Sequence, residues 1–269
     1  MEFSIEVSLP SGKKVRVREL KNSEFLSIIK FAQNKDFEGL GAFFDELFIR
    51  PDLNIVDRIY LLIYMRMTFI DPDINLTIDR KTITISVASM LDKIEASYVD
   101  LETKININGI EITLDLPCIT HYQNMDELLI ATIKHIQIGN DSIDYNELDD
   151  EVRNEVLSNL PSSVFGHVGK FLETIQDNLL NVDLIDENES IGLEATRINL
   201  MANNILEFIS SLYGTDLEGF YTMIYSFQNT IMPGSNYFFE MSPIESRIIV
   251  KAHQNRVKEE SDRLQKQNQ

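Results

Sequence analysis

The residues whose types are best suited to chemistry are a cysteine and a histidine three positions apart. Cys118 and His121 have the spacing of half a zinc site. A structural zinc site needs four ligands, usually arranged as two close pairs. The other histidines, His135, His167 and His253, stand alone in the sequence. We therefore predict no metal here, and we interpret the pair as a buried thiol beside a surface imidazole.

Three further segments resemble ligand-binding motifs, but each lacks a part that the chemistry needs. DPDINLTID at 71–79 alternates carboxylates like a calcium loop, yet it has neither the central glycine nor the final glutamate. GLGAFF at 39–44 lacks the third glycine of a dinucleotide fingerprint, and FGHVGK at 165–170 lacks the spacing of a phosphate loop. No nucleophile elbow surrounds a serine. The sequence therefore predicts no cofactor and no enzymatic activity; an enzyme with an unrecognised site is the least favoured alternative.

Charge is large and uneven along the chain. The 269 residues carry a formal net charge of −19, which repels nucleic acid and anionic membrane surfaces. Solubility alone and docking onto a basic protein surface both explain such a charge. Residues 90–160 hold fifteen acidic residues against four basic ones, whereas the first strands and the last helix are locally basic. The basic ends either dock on the acidic middle of the same chain or contact other proteins.

Cysteine content and hydropathy bear on the compartment. A single cysteine forms no internal disulfide, which is typical of a reducing environment. The first twenty residues lack the apolar segment of a secretory signal. The strongest apolar run, residues 59–70, contains Arg66 and is shorter than the roughly 20 residues that span a bilayer. We expect a buried helix there and no membrane insertion.

The first twenty residues, MEFSIEVSLPSGKKVRVREL, predict a β-hairpin. A three-residue loop, 10–12, with Gly12 left-handed, joins two alternating strands. The register that follows is Val7 with Val15, Ile5 with Val17, and Glu6 opposite Arg16. Because one face of the hairpin is apolar, that face must pack against another part of this chain or against another protein. It either packs on the chain's own helices or adds strands to a neighbour's sheet.

The remaining periodicity alternates between helices and strands. Helices are expected over 23–33, 36–49, 55–69 and 89–96. Strands 74–78 and 83–87 are expected to pair Ile78 with Ile83 and Leu76 with Ile85, through a four-residue loop. Asn108-Gly109 predicts a type I′ turn that pairs Ile107 with Ile110 and Ile105 with Ile112.

Beyond residue 120 the pattern is mainly helical. Helices are predicted over 125–136, 145–157, 161–180, 193–214 and 215–230, followed by a loop at 232–241. The last helix has the start signals of a capping box, with Ser242 as N-cap, Pro243 in the first turn and Glu245 at the third position. Aromatic residues at helical spacing are core residues by default, although some of these faces could serve as interfaces.

These elements predict an α+β fold that is mostly helical, with antiparallel hairpins near the N-terminus and at about 74–116. We expect an N-terminal hairpin with helices (1–70), a small antiparallel β part (71–120) and a C-terminal helical part (121–269). One continuous domain is the alternative. The candidate partner-binding residues are the cations of the two basic ends, Lys13, Lys14, Arg16, Arg18, Arg247, Lys251 and Arg256.

Two long segments resemble the T4-type phage baseplate protein family, which includes a hub subunit and a hub-assembly factor. They are IEVSLPSGKKVRVRELKNSEFLSIIKFAQNKDFEGLGAFFDEL at 5–47 and IGLEATRINLMANNILEFISSLY at 191–213. The likeness involves whole segments and no short diagnostic motif, and it carries over no catalytic residues.

The resemblance implies a structural component of a contractile-tail baseplate hub that binds other hub proteins during tail assembly. The alternative is a transient hub-assembly chaperone that is absent from the mature particle. Partners would be other phage baseplate hub proteins, in a homo- or hetero-oligomer, with neither nucleic acid nor membrane insertion. The location would be the host cytoplasm during assembly and, for a structural component, the tail baseplate.

Overall fold

The structure is a computed structural model in which the chain forms an α+β fold that is mostly helical, as predicted. It describes residues 4–48, 52–78, 81–98, 103–116, 125–139, 141–174, 181–182, 196–197, 209–210, 212–214, 217–234 and 236–267. Antiparallel strand pairs occur near the N-terminus and between residues 73 and 144. The predicted division into three parts stays a prediction.

The N-terminal hairpin consists of β1 (Ser4–Ser8) and β2 (Lys14–Arg18) and has the predicted register. Gly12 has φ +80°, the left-handed conformation that the three-residue loop requires. The apolar face is buried in the chain's own core through Val7, Leu9, Val15 and Val17. Of the two alternatives for this face, packing on the chain's own elements is therefore the arrangement observed.

The first three helices are α1 (Asn22–Gln33), α2 (Phe37–Phe48) and α3 (Ile55–Phe69). The third contains the apolar run and is buried on nearly every side, which confirms the predicted buried helix. It begins at Asn54, whose side chain accepts a hydrogen bond of 2.8 Å from the Asp57 N–H. This helix is the centre of the core.

Strands β3 (Asp73–Ile78) and β4 (Lys81–Ser86) precede α4 (Val87–Tyr98), which packs on α3. The predicted register of this hairpin was wrong. The structure pairs Ile78 with Lys81, Leu76 with Ile83 and Ile74 with Ile85. The observed register differs by two residues from the predicted one. Such a shift leaves every residue on the same face of the sheet, so alternation alone does not distinguish the two.

A four-stranded antiparallel sheet contains β5 (Lys104–Ile107), β6 (Ile110–Leu114), β7 (Ile133–Ile138) and β8 (Asp141–Asp144) in that order. The Asn108-Gly109 turn has the positive φ angles of a type I′ turn, 53° and 83°, and its register is as predicted. A helix over 125–136 was also predicted, but α5 (Met125–Thr132) ends before β7.

A bulge explains why β7 was missed. The pairing of β6 with β7 shifts between Thr113 and Leu114, so Thr113 faces His135 whereas Leu114 faces Ile133. The extra residue lets Ile133 and Ile136 both be buried although they are three positions apart. A spacing of three is the pattern of a helix, and the sequence therefore indicated the wrong element.

The C-terminal half contains α6 (Asp150–Asn159), α7 (Ser162–Thr174), α8 (Leu217–Ser226), a π-helical turn (Phe227–Ile231), α9 (Tyr237–Glu240) and α10 (Pro243–Gln267). A 3₁₀ turn covers Tyr145–Glu147. The short strands β9 (Asn181–Val182) and β10 (Thr196–Arg197) pair with each other, which contradicts the predicted helix at 196–197. Residues 209–210 and 212–214 are helical as predicted.

Two details concern the C-terminal predictions. Helix α9 lies in the predicted loop 232–241, where YFFE forms a single helical turn against the core. The capping box of α10 is confirmed, because the Glu245 N–H donates to the Ser242 hydroxyl (3.2 Å) and the Ser242 N–H donates to the Glu245 carboxylate (3.1 Å).

The loop of the N-terminal hairpin is fastened to α3 by a buried carboxylate. The Ser11 hydroxyl donates to Asp57 at 2.7 Å, and the Ser11 N–H donates at 3.3 Å. Burial raises the pKa of Asp57 above its ordinary value, although the hydrogen bonds from Ser11 oppose this shift. The hairpin is therefore held by hydrogen bonds as well as by its apolar face.

Gly39→Ala is expected to destabilise the protein by about 1–3 kcal/mol, although alanine favours helices more than glycine does. A Cβ at Gly39 would lie 2.5 Å from Asp36 Oδ2 and 2.6 Å from Phe31 Cε1. Gly166→Ala in α7 is the matched control, because a Cβ there meets nothing within 4 Å. Urea denaturation should show a lower midpoint for Gly39→Ala and an equal or higher one for the control; equal effects at both positions would contradict the close contact.

Asp57→Asn tests the buried carboxylate through pH. Because the folded chain raises the pKa of Asp57, it binds more protons than the unfolded chain above the ordinary value of 3.8. The free energy of unfolding of the wild type, relative to Asp57→Asn, should therefore fall as the pH rises through the window between the ordinary and raised values, and then level off. Urea titrations of both proteins between about pH 3.5 and 8 measure this difference. A difference that increases with pH would contradict the assignment.

Candidate protein-docking surface

A buried arginine connects the C-terminal segment to α3. The guanidinium of Arg66 donates from Nε to the carbonyl of Leu212 (3.0 Å), and from its terminal nitrogens to the carbonyls of Asp71 (2.6 Å) and Asp73 (3.3 Å). One residue further along the chain, the Tyr213 hydroxyl donates to the Leu62 carbonyl at 2.8 Å. Burial raises the pKa of Tyr213 far above its ordinary value, so the phenol keeps its proton.

A buried asparagine connects the last helices to α1. The side-chain amide of Asn22 donates to the Phe238 carbonyl (2.7 Å) and to the Ser246 hydroxyl (3.1 Å). Its backbone N–H donates to the Met241 carbonyl at 2.8 Å. These bonds cross more than 200 positions of sequence and fix where α10 begins relative to the N-terminal helices.

An aromatic cluster fills the space between the same elements. The Phe25 ring lies 4.7 Å from that of Phe220 and 6.1 Å from that of Tyr213. The Phe238 ring lies 5.5 Å from Phe220 and 5.4 Å from Phe227. Offset and tilted ring pairs at such distances are favourable. The inner faces of α8 and α9 are therefore part of the same core as α1.

An open groove of about 410 Å³ lies between α8 and α10. Its apolar surface comes mainly from Phe25, Phe220, Met223 and Val250, and the cations Arg247 and Lys251 lie at its side. Grooves of this kind bind apolar side chains of a partner. Charged residues beside the groove favour partners that carry the opposite charge. The groove is thus a candidate site for a partner's side chains.

The second half of α10 extends away from this groove. Residues 254–266 are all exposed, including the large apolar side chains of Val257 (50% exposed) and Leu264 (60%). Val257 and Leu264 follow Val250 at intervals of seven residues, and Val250 lines the groove. Side chains at this interval lie on nearly the same side of a helix.

Tyrosines form a separate exposed stripe on α8. Tyr221 is 52% exposed and Tyr225 is 69% exposed, and together with Leu217 they line a shallow depression on the side of the helix opposite the groove. Sequence reasoning missed this stripe because it assigned aromatic residues at helical spacing to the core. The spacing of four residues from 217 to 221 to 225 shows only that the residues share a face.

The cations predicted near the C-terminus lie in and beside the groove. Arg247 donates to the Ile70 carbonyl (2.9 Å) and to the Asp71 carboxylate (2.8 Å). Arg256 pairs with Glu260 at 3.2 Å along the exposed part of α10. Lys251 is exposed and forms no ion pair with any residue that the structure describes. Lys251 is thus available to a partner.

The cations predicted on the N-terminal hairpin lie elsewhere and contact acidic groups of the same chain. Lys13 contacts Asp52, Lys14 contacts Glu6, and Arg18 forms two hydrogen bonds with Glu24. Arg16 is exposed opposite Glu6 and, within the described ranges, forms no ion pair. The two basic sets thus contact different acidic residues of the chain. Their contact with partners stays a prediction, and the groove set is the better placed of the two.

The described residues contain no group of three or more histidine, cysteine, aspartate or glutamate side chains that could together hold a metal ion. Cys118 and His121, the half zinc site of the sequence, lie outside the described residues. No described helix combines the length and the apolar character that crossing a bilayer would require.

Comparison with known proteins shows a family match. A family model described as "T4 bacteriophage base plate protein" matches residues 2–191, which is more than two thirds of the chain. No curated protein and no solved structure matches. The matched residues include α1 and α3, whereas α8, α9 and α10 follow them in the sequence.

Asn22→Ala should destabilise the protein by about 1–3 kcal/mol, since it removes a buried amide that donates to the Phe238 carbonyl and to the Ser246 hydroxyl and leaves that carbonyl only the longer bond from the Met241 N–H (3.3 Å). Asn159→Ala, which removes an exposed amide bonded to Glu155 four residues earlier, is the control and should change the free energy of unfolding by at most about 0.5 kcal/mol. Urea denaturation followed by circular dichroism measures both. A change below about 0.5 kcal/mol for Asn22→Ala would show that this contact does not hold the C-terminal helices.

Proposed function

The chain belongs to the T4 bacteriophage base plate protein family, and we propose that it is a non-enzymatic structural component of the hub of a contractile-tail baseplate. In this proposal it binds other hub proteins during tail assembly. It acts in the host cytoplasm while the tail is built and then stays in the virion baseplate. The resemblance of residues 5–47 to this family supports the hub assignment.

The observation that carries the proposal is the exposed tyrosine stripe of α8. Tyrosine is enriched in protein interfaces and among the residues that dominate binding energy, because it combines a large apolar surface with a polar tip. Tyr221 and Tyr225 project from a helix whose other face is fixed in the core through Phe220. A stiff, outward-facing aromatic surface of this kind suits a permanent protein contact.

The position of this surface in the sequence supports different roles for two parts of the chain. The family match covers residues 2–191, which contain α3, the hairpin and the four-stranded sheet. The tyrosine stripe and α10 follow the match and are attached to it by Asn22 and Arg66. We infer that the matched part supplies the scaffold and the C-terminal helices select the partner.

A transient hub-assembly chaperone, absent from the mature particle, is the second candidate. The net charge of −19 favours it, since a strongly charged chain with exposed aromatic residues stays soluble while it waits for its partner. Such a chaperone would use the same surfaces as a structural hub component. It would differ only in dissociating from the hub before the particle is complete.

Peptide mass spectrometry of gradient-purified particles, beside the lysate of infected cells, separates the two candidates. A structural hub component should be present in the particle at a fixed ratio to other baseplate proteins. Peptides that occur in the lysate and are absent from the particle would favour the chaperone. Absence from both the particle and its tail precursors would overturn the baseplate role.

The double variant Tyr221→Ser/Tyr225→Ser tests whether the stripe makes the contact. Both side chains are more than half exposed, so the fold should lose little stability, while incorporation into particles should fall at least tenfold. Ile138→Ser removes an equally exposed apolar side chain from β7 and is the control. Normal incorporation of the tyrosine variant, measured by the same mass spectrometry, would exclude the stripe as the docking site.

A further inference from the structure

An apolar seam runs from the groove along the exposed half of α10. Val250 is 6% exposed and lines the groove, and Val257 and Leu264 continue the same side of the helix at intervals of seven residues. At a rise of about 1.5 Å per residue the seam is about 21 Å long. Its length matches some four turns of a second helix lying alongside.

One flank of this seam is basic. Arg247, Lys251 and Lys258 follow one another at intervals of four and seven residues, which places them along one side of α10. Arg247 is bound to Asp71, whereas Lys251 and Lys258 are exposed and make no ion pair within the described ranges. Two available ammonium groups on a chain of net charge −19 form a local site for carboxylates.

The exposed half of α10 has a free surface along its whole length. Residues 254–266 have no buried side chain, whereas helices in proteins gain most of their stability from tertiary packing of an apolar face. A second helix packed on Val257 and Leu264 would supply the missing tertiary contact. A seven-residue spacing is the one that helices use when they pack side by side.

The described helices of a second copy of this chain fit the seam poorly. Those with exposed acidic side chains include α2 (Glu38, Glu46), α4 (Asp92, Glu95) and α6 (Glu151, Glu155). Among the described residues of α2 and α4, no large apolar side chain is exposed. The apolar side chains Val156 and Leu157 of α6 are, however, partly buried against the core, which leaves Val152 as its exposed large apolar residue. One valine does not fill a groove of about 410 Å³ and cover a seam beyond it.

We propose that the groove between α8 and α10, together with the Val250–Val257–Leu264 seam, binds an acidic amphipathic helix of a different protein. The partner's apolar side chains enter the groove and cover the seam, and its carboxylates pair with Lys251 and Lys258. This inference rests on the proposed function, since the partner is another baseplate protein. It names a second surface, on the side of α8 opposite the tyrosine stripe.

The probe for the first test is a fluorescein-labelled synthetic helix of about 21 residues, with leucine at heptad positions a and d and glutamate at e and g. Fluorescence anisotropy with the full-length protein, at about 150 mM salt, gives the Kd. The Glu peptide should bind saturably, and a peptide with lysine in place of each glutamate should bind at least tenfold more weakly. Equal binding of the two peptides, or no binding of either, would overturn the proposal.

Matched charge reversals locate the site. Lys251→Glu/Lys258→Glu should weaken binding of the Glu peptide at least tenfold and improve binding of the Lys peptide. Lys170→Glu/Lys266→Glu changes the charge by the same amount away from the seam, at an exposed lysine of α7 and at an exposed lysine on the side of α10 opposite Val257, and should alter Kd by less than about threefold. Equal loss in both double variants would mean nonspecific attraction and would overturn the proposal. Self-association of the wild type in sedimentation, lost in Lys251→Glu/Lys258→Glu, would overturn it in favour of a second copy.

Photo-crosslinking in assembling tails tests the natural partner. A benzoylphenylalanine in place of Val257 should crosslink to an acidic amphipathic segment of another protein, identified by sequencing the crosslinked peptide. The same residue in place of Asn255, which is exposed on the other side of the helix, should not. A crosslink to this chain or to a non-acidic segment would overturn the groove assignment. If the chain is in the particle but position 257 gives no such crosslink, the groove proposal fails and the baseplate role stands.

Discussion

A guanidinium group inside a protein must have acceptors, and Arg66 is only 1% exposed in the last turn of α3. Its acceptors include three backbone carbonyls, those of Asp71 and Asp73 at the entry to β3 and that of Leu212 far along the sequence. Each carbonyl left without its donor would cost about 1–3 kcal/mol. The fold therefore requires three segments to remain packed around the Arg66 side chain. These are α3, the first β-hairpin after it and the C-terminal segment.

This constraint explains how the chain presents a stiff surface. Arg66 and Tyr213 fix the segment before α8, and Asn22 fixes the segment before α10, so each helix is anchored at its start. The inner faces are then filled by the aromatic cluster around Phe25 and Phe220. What remains outside is the tyrosine stripe, the groove and the exposed half of α10. Because the inner faces of the helices are packed in a fixed arrangement, large apolar side chains on the outer faces stay exposed and do not collapse onto the core.

The sequence predicted the parts that local chemistry determines. The N-terminal hairpin, the Asn108-Gly109 turn and the capping box of α10 each depend on a few adjacent residues, and all three were confirmed. The parts that depend on distant partners were missed. A bulge in β7 opposite Leu114 gives the buried residues of this strand the spacing of a helix. A two-residue shift in the β3–β4 register does not change the alternation of apolar and polar residues, so the sequence pattern does not reveal it. For the candidate docking surface, the cations were predicted from their charge, and their contact with partners stays a prediction. The tyrosines were missed because exposed tyrosines have the same spacing as buried ones, and only the packing of α8 shows which face is outside.

Because Arg66, Tyr213 and Asn22 join them, the C-terminal helices and α3 should unfold as one cooperative unit, which native-state hydrogen exchange of the full-length protein measures. Amides of α8 and of the first two turns of α10 should exchange with the same opening free energy, and the same denaturant dependence, as those of α3. Amides beyond residue 254 should exchange much faster, because no tertiary contact protects them. Exchange of α8 through a separate opening of lower free energy, while α3 stays protected, would contradict the account and show that the docking helices form an independent domain.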